Sequence, residues 1–136
     1  MEAEKTLTNE EIIRELLDLL KKNAMKEPAN DVFEICSYVD GLEKKIASMT
    51  EELTSMQNQI REMQEDTLIN NAKKALAEAQ ERLNARCEQI KSQVYEVKIQ
   101  VKSTAKSIVD EAKAKGRAAL YRVTEFAGMK KRLLNV

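Results

Sequence analysis

From Val32 to Met63 the apolar residues fall at Val32, Ile35, Val39, Leu42, Ile46, Met49, Leu53, Met56, Ile60 and Met63, in steps that alternate between 3 and 4. That spacing predicts a long helix carrying one narrow apolar stripe, the heptad seam of a coiled coil. A second series follows at Ala72, Leu76, Ala79, Leu83, Cys87, Ile90, Val94, Val97, Val101, then Thr104 or Ala105, Ile108 and Ala112. It predicts a second long helix, with the Leu83–Cys87–Ile90 step as a stutter in the repeat. Period-two alternation is absent beyond a few residues, so strands have almost no candidates.

Upstream, Ile12, Ile13, Leu16, Leu17, Leu19 and Leu20 make a stripe broader than a two-helix seam requires. Thr8 with Glu11 reads as a capping box, and Lys21 and Lys22 suit the end of a helix dipole. Together they predict a first helix over about 9–22, after a frayed lead-in at 1–7. Pro28 breaks the connection over 23–30, and Asn30 is placed to cap a second helix over about 31–66. The third helix spans about 70–115, and the turn between the two is marked only by Asp66, Thr67, Asn70 and Asn71. Phe33, Cys36 and Tyr38 widen the apolar face at the start of the second helix, which therefore needs two neighbours there.

The narrow part of the seam has two possible partners. β-branched residues hold four of the five a positions (Val32, Val39, Ile46 and Ile60), which favours a parallel dimer. The flanking pairs argue otherwise: Tyr38–Glu43, Lys45–Thr50, Glu52–Gln57 and Gln59–Gln64 include no opposite charges. Folding the chain back near Leu68 pairs the two seams instead, Met63 with Ala72, Ile60 with Leu76, Met56 with Ala79, Leu53 with Leu83 and Met49 with Cys87. Ile46 then meets Ile90, Leu42 meets Val94, Val39 meets Val97 and Ile35 meets Val101. The positions in every pair add to 135 or 136, so no slip accumulates. The alternative is one uninterrupted helix from 31 to 115, roughly 130 Å long, paired with a second chain.

Composition and charge agree with long helices. Aromatics are 4%, charged residues 34%, and there are three Gly and one Pro, too little for sheets or a wide core. The zero net charge divides unevenly: residues 1–66 hold 8 Lys/Arg and 16 Asp/Glu, and the remaining residues hold 15 and 7. Complementary halves are explained most simply by lying against each other.

No catalytic constellation emerges. There is no His, no Gly-rich phosphate loop, and the acidic doublets Glu10–Glu11 and Glu51–Glu52 point about 100° apart on a helix. Cys36 and Cys87 are too few for a zinc site, and Cys87 reads as a small buried hydrophobe. The expectation is a non-enzyme without metal or cofactor. No apolar h-region follows Met1 and no apolar run approaches about 18 residues, so the chain reads as soluble and cytoplasmic.

One stretch has a functional flavour. From Lys113 onward come Lys113, Lys115, Arg117, Arg122, Lys130, Lys131 and Arg132 against Glu125 alone, a balance of +6. The segment predicts a basic amphipathic helix over about 117–134, interrupted by Gly128, with Gly116 ending the third helix or acting as a hinge. It can bind nucleic-acid phosphates, or lie in a membrane interface through Leu120, Val123, Phe126 and Met129. Equally, it can pack on the bundle and answer the acidic first helix.

Leu7-Thr8-Asn9 leading into Ile13-Arg14-Glu15-Leu16-Leu17, then Ser37-Tyr38-Val39-Asp40, Lys73-Lys74-Ala75-Leu76 and Lys115-Gly116, form an ordered set of short motifs over nearly the whole chain. In these the sequence resembles a family of uncharacterised proteins, a domain of unknown function from gut anaerobic bacteria and their conjugative elements. The resemblance implies a proline at the turn between the long helices, which this chain lacks, and it implies no site residues.

The sequence thus predicts a single all-α domain over 1–136, a long antiparallel helical hairpin thickened at its open end by an N-terminal and a C-terminal helix. A two-helix seam leaves its flanks partly open, so a homo-oligomer, a dimer first, is expected. The expected role is a coiled-coil scaffold or adaptor with itself or a protein partner. A nucleic-acid-binding accessory protein of a mobile element and a peripheral membrane protein are the alternatives.

Overall fold

The computed structural model describes residues 7–63 and 67–134. Among them are four α-helices and two short 3-10 segments, with no strand. The order is a 3-10 turn Leu7–Asn9, α1 Glu11–Lys22, α2 Lys26–Glu62, α3 Thr67–Lys115, a 3-10 segment Arg117–Val123 and α4 Thr124–Leu134. The long helices α2 and α3 pack against each other as a hairpin, so the uninterrupted helix over 31–115 is not formed. The residues fall into two compact units. Unit 1 is Met1–Gly41 with Tyr95–Val136, and unit 2 is Leu42–Val94.

In unit 1 the N-terminal end departs from the capping box expected of Thr8 and Glu11. Glu10 is the N-cap of α1 and makes no side-chain cap bond. Thr8 instead donates its hydroxyl to Asp40 Oδ2 at 3.0 Å, while the Leu7 N–H donates to Asp40 Oδ1 at 3.1 Å. A carboxylate more than thirty residues away has outcompeted the local glutamate, and it holds Leu7 fully buried rather than frayed. The rest of the expected lead-in lies outside the described residues.

The connection after α1 is shorter than the 23–30 loop expected from Pro28. Ala24 N–H bonds Lys21 O at 3.1 Å and Met25 N–H bonds Leu20 O at 2.9 Å, the Schellman pattern of a helix end. Ala24 takes the left-handed position at φ 57, and α2 starts two residues later. Pro28 then sits in the first turn of α2, where its missing N–H has no partner to lose, so it does not break the helix and Asn30 does not cap it. Alanine in the left-handed region costs about 1–2 kcal/mol, so Ala24→Gly is expected to raise stability by about 0.5–1 kcal/mol after the added backbone entropy of the unfolded chain. Urea unfolding followed by circular dichroism checks the sign.

Two ion pairs set the direction of α1. Lys102 of α3 meets Glu10 at 3.1 Å and Lys113 meets Glu15 at 2.6 Å, so α1 runs parallel to α3. On the other flank Arg122 reaches Glu111 at 2.8 Å, and Lys130 reaches Asp31 of α2 at 3.3 Å. Unit 1 therefore gathers α1, the start of α2, the end of α3 and α4 into a four-helix bundle. Its core holds Leu7, Ile13, Leu16, Leu20, Val32, Ile35, Cys36, Val39, Val101, Ala105, Ile108, Val109, Leu120, Val123 and Phe126, all at 1% exposure or less. Of the three residues expected to widen the start of α2, only Cys36 is buried. Phe33 and Tyr38 are 52% and 38% exposed, because each falls about 100° round the helix from a buried neighbour and beyond the arc the flanking helices cover.

Gly116 ends α3, accepting a backbone conformation (φ 84, ψ −168) that is essentially glycine's alone. The chain beyond is not one helix broken at Gly128. It is a 3-10 segment to Val123, then α4 running through Gly128, with the Thr124 hydroxyl donating to Tyr121 O at 3.2 Å at the junction.

In unit 2 the two long helices are alone. Gln80 Nε2 donates to Gln57 Oε1 at 3.0 Å and to Leu53 O at 3.4 Å, which sets residue 80 level with the 53–57 turn, in the register read from the seams. The change of direction comes earlier than expected: α2 closes at Glu62 with a tightened bond from Met63 N–H to Ile60 O, and α3 is helical from Thr67. Asp66, one of the expected turn markers, lies outside the described residues. Ala72, expected on the seam, is exposed, and the half-buried stem of Lys73 covers that turn instead.

Candidate interaction surfaces

The seven basic residues singled out from Lys113 onward do not form one surface. Three are spent inside unit 1. Lys113 is bonded to Glu15, and that hydrogen bond followed by the Glu15 charge raises its pKa. Arg122 is the most heavily bonded, donating to Ser107 Oγ at 2.7 Å, Glu111 at 2.8 Å and Glu125 at 3.0 Å. Lys130 bridges Glu34 and Asp31 of α2, which raise its pKa in that order. The acids that answer the C-terminal helix thus lie on α2, while α1 is answered by Lys102 and Lys113 of α3. Asp31, Glu34 and Glu111 were missed as functional partners; the i, i+3 spacing of Asp31 and Glu34 was the only local signal.

Lys115, Arg117, Lys131 and Arg132 are exposed and make no ion pair with a described residue. They lie in two groups, at the junction after α3 and in the last turns of α4. A 3-10 segment and most of α4 separate these groups, about 25 Å of helical rise. The apolar face beside them is also occupied. Leu120, Val123 and Phe126 are buried in the core of unit 1 and Met129 is half-buried, so that face is packed against protein.

Unit 2 has the opposite character. Of the seam residues there, Met49, Ile90 and Val94 are buried, together with Cys87. Leu42, Ile46, Leu53, Met56, Ile60, Leu76 and Leu83 are only half-buried, as is Met63 at the end of α2. In unit 1 the same two helices bury Val32, Ile35, Val39, Val101 and Ile108 completely, and only Val97 stays half-buried. The seam closes where two further helices flank it and stays open where none does.

No described group of three or more His, Cys, Asp or Glu side chains has metal-binding geometry, and no described helix is long and apolar enough to cross a membrane. Both cysteines are free and buried. Burial, with a smaller effect from Asp40, pushes the Cys36 thiol up to about 12 from its ordinary 9.0. The folded state therefore holds the proton more tightly than the unfolded one. The stabilisation is complete below pH 9.0 and is lost as pH rises through about 12. Between these values the stability of the protein is expected to fall with pH, with a shallower slope for Cys36→Ala, measurable by urea titration at a series of pH values.

The fold and these surfaces define an all-helical, coiled-coil hairpin protein with one closed and one open section of seam. The chain belongs to DUF6674, a family of unknown function whose model matches residues 9–136. No curated protein and no solved structure matches it.

Proposed function

We propose that the protein is a non-enzymatic coiled-coil scaffold that associates with a second copy of itself through unit 2. The observation that carries this reading is the contrast along α2 and α3. Flanked by two helices, their seams are sealed; in unit 2 the same kind of seam leaves leucine, isoleucine and methionine partly exposed. Two copies of a two-helix unit supply the four helices that unit 1 assembles within one chain. A symmetric pairing uses the same patch on both copies and closes at the dimer. Cytoplasmic action and a setting among gut anaerobic bacteria and their conjugative elements belong to the same proposal, the latter on the resemblance of short motifs alone. The test is the mass in solution over a range of concentrations, with a dimer expected.

A further inference from the structure

One end of unit 1 collects basic residues from separate parts of the chain. The Glu15–Lys113 pair holds α1 beside the last turns of α3, and the tight turn at Ala24 returns the chain into α2. The C-terminus of α1, the N-terminus of α2 and the α3 junction at Gly116 therefore share one end of the four-helix bundle. Lys21, Lys22, Lys26, Lys115 and Arg117 are all exposed there, and none makes an ion pair with a described residue. The exposed acids at this end are Asp18 and Glu27.

Helix dipoles account for part of this arrangement. Lys21, Lys22 and Lys115 lie in last turns, where a cation is stabilising. Lys26 is the reverse case. It is the first residue of the 37-residue α2, where the positive end of the dipole repels it and a carboxylate is preferred. Arg117 lies past the end of α3 and has no pairing to explain it. Charge placed against local stability is found at functional sites.

We infer that this end of unit 1 binds the phosphate backbone of duplex nucleic acid, without reading its sequence. Its basic side chains are exposed and long enough to follow a row of phosphates. None of the large exposed hydrophobics, which are Phe33, Tyr38, Tyr95, Ile99, Tyr121 and Leu134, belongs to residues 21–27 or 113–117. A lipid surface is held largely through buried apolar area, which this end does not offer, so a phosphate backbone is the better match. The site differs from a basic C-terminal arm, because three of its five cations come from the junction of α1 and α2.

The experiment is a gel shift of the full chain with a short DNA duplex, beside flotation with phosphatidylserine vesicles. Five engaged phosphates give a log–log salt slope of about −4.5, an affinity loss of about 500-fold between about 50 and about 200 mM salt. The variant Lys21→Gln, Lys22→Gln, Lys26→Gln, Lys115→Gln, Arg117→Gln is expected to abolish the shift at low salt with its helical circular dichroism retained. The control Lys131→Gln, Arg132→Gln is expected to bind as the parent does. No shift at low salt overturns the inference, as does an undiminished shift by the five-site variant. Flotation on vesicles without a DNA shift overturns it in favour of lipid.

Discussion

Phe126→Ala is expected to cost about 3–5 kcal/mol and to release α4 from unit 1. Phe126 is fully buried and is the one buried residue of the described part of α4. Removing its ring leaves that helix attached through half-buried Met129 and Leu133 and through Lys130 with its two carboxylates. Those pairs are only partly buried, and ion pairs open to solvent are usually worth less than about 1 kcal/mol, so they cannot replace a buried aromatic. Urea unfolding gives the loss directly, and hydrogen exchange over 124–134 shows where it acts. Phe126→Leu, which keeps most of the volume, is expected to retain most of the stability. A loss below about 1 kcal/mol for the alanine variant would show that α4 does not depend on this residue.

The second large effect concerns unit 2. Leu53 and Leu83 are half-buried, and the register places them opposite each other. Leu53→Lys with Leu83→Lys puts two cations per chain on the open seam. Fully burying one leucine is worth about 1.5–3 kcal/mol, so removing the partial burial of four across a dimer weakens association by about 3 kcal/mol, roughly a hundredfold. The mass is expected to fall to that of a single chain. Glu51→Lys makes the same change of charge per chain at an exposed position of α2 and is expected to leave the mass unaltered.

The hairpin was legible because seam spacing is a property of consecutive residues. The 3-4 steps from Val32 to Met63 and their counterpart from Leu76 to Ile108 require a long helix each, and the first seam's flanks, without opposite-charge pairs, point to an intrachain partner. The errors have physical causes of two kinds. At the α1–α2 turn an alanine took the left-handed position that normally signals itself with glycine or asparagine, so a Schellman end passed for a longer loop closed by Pro28. Elsewhere the deciding partner is remote in sequence. Thr8 is three residues from Glu11 and thirty-two from Asp40, yet it bonds Asp40. Lys130 looked available for phosphate until the fold brought Asp31 and Glu34 against it. The cationic end of unit 1 is a further example: Lys21, Lys22 and Lys26 join Lys115 and Arg117 only once the bundle topology is known.

The proposed self-association rests on the burial contrast between a sealed seam in unit 1 and a partly exposed one in unit 2. Sedimentation equilibrium of the intact chain over a wide concentration range tests it most directly. A reversible association to twice the 15.5 kDa of one chain is expected, lost in the Leu53→Lys, Leu83→Lys variant. A mass of 15.5 kDa at every concentration would contradict it.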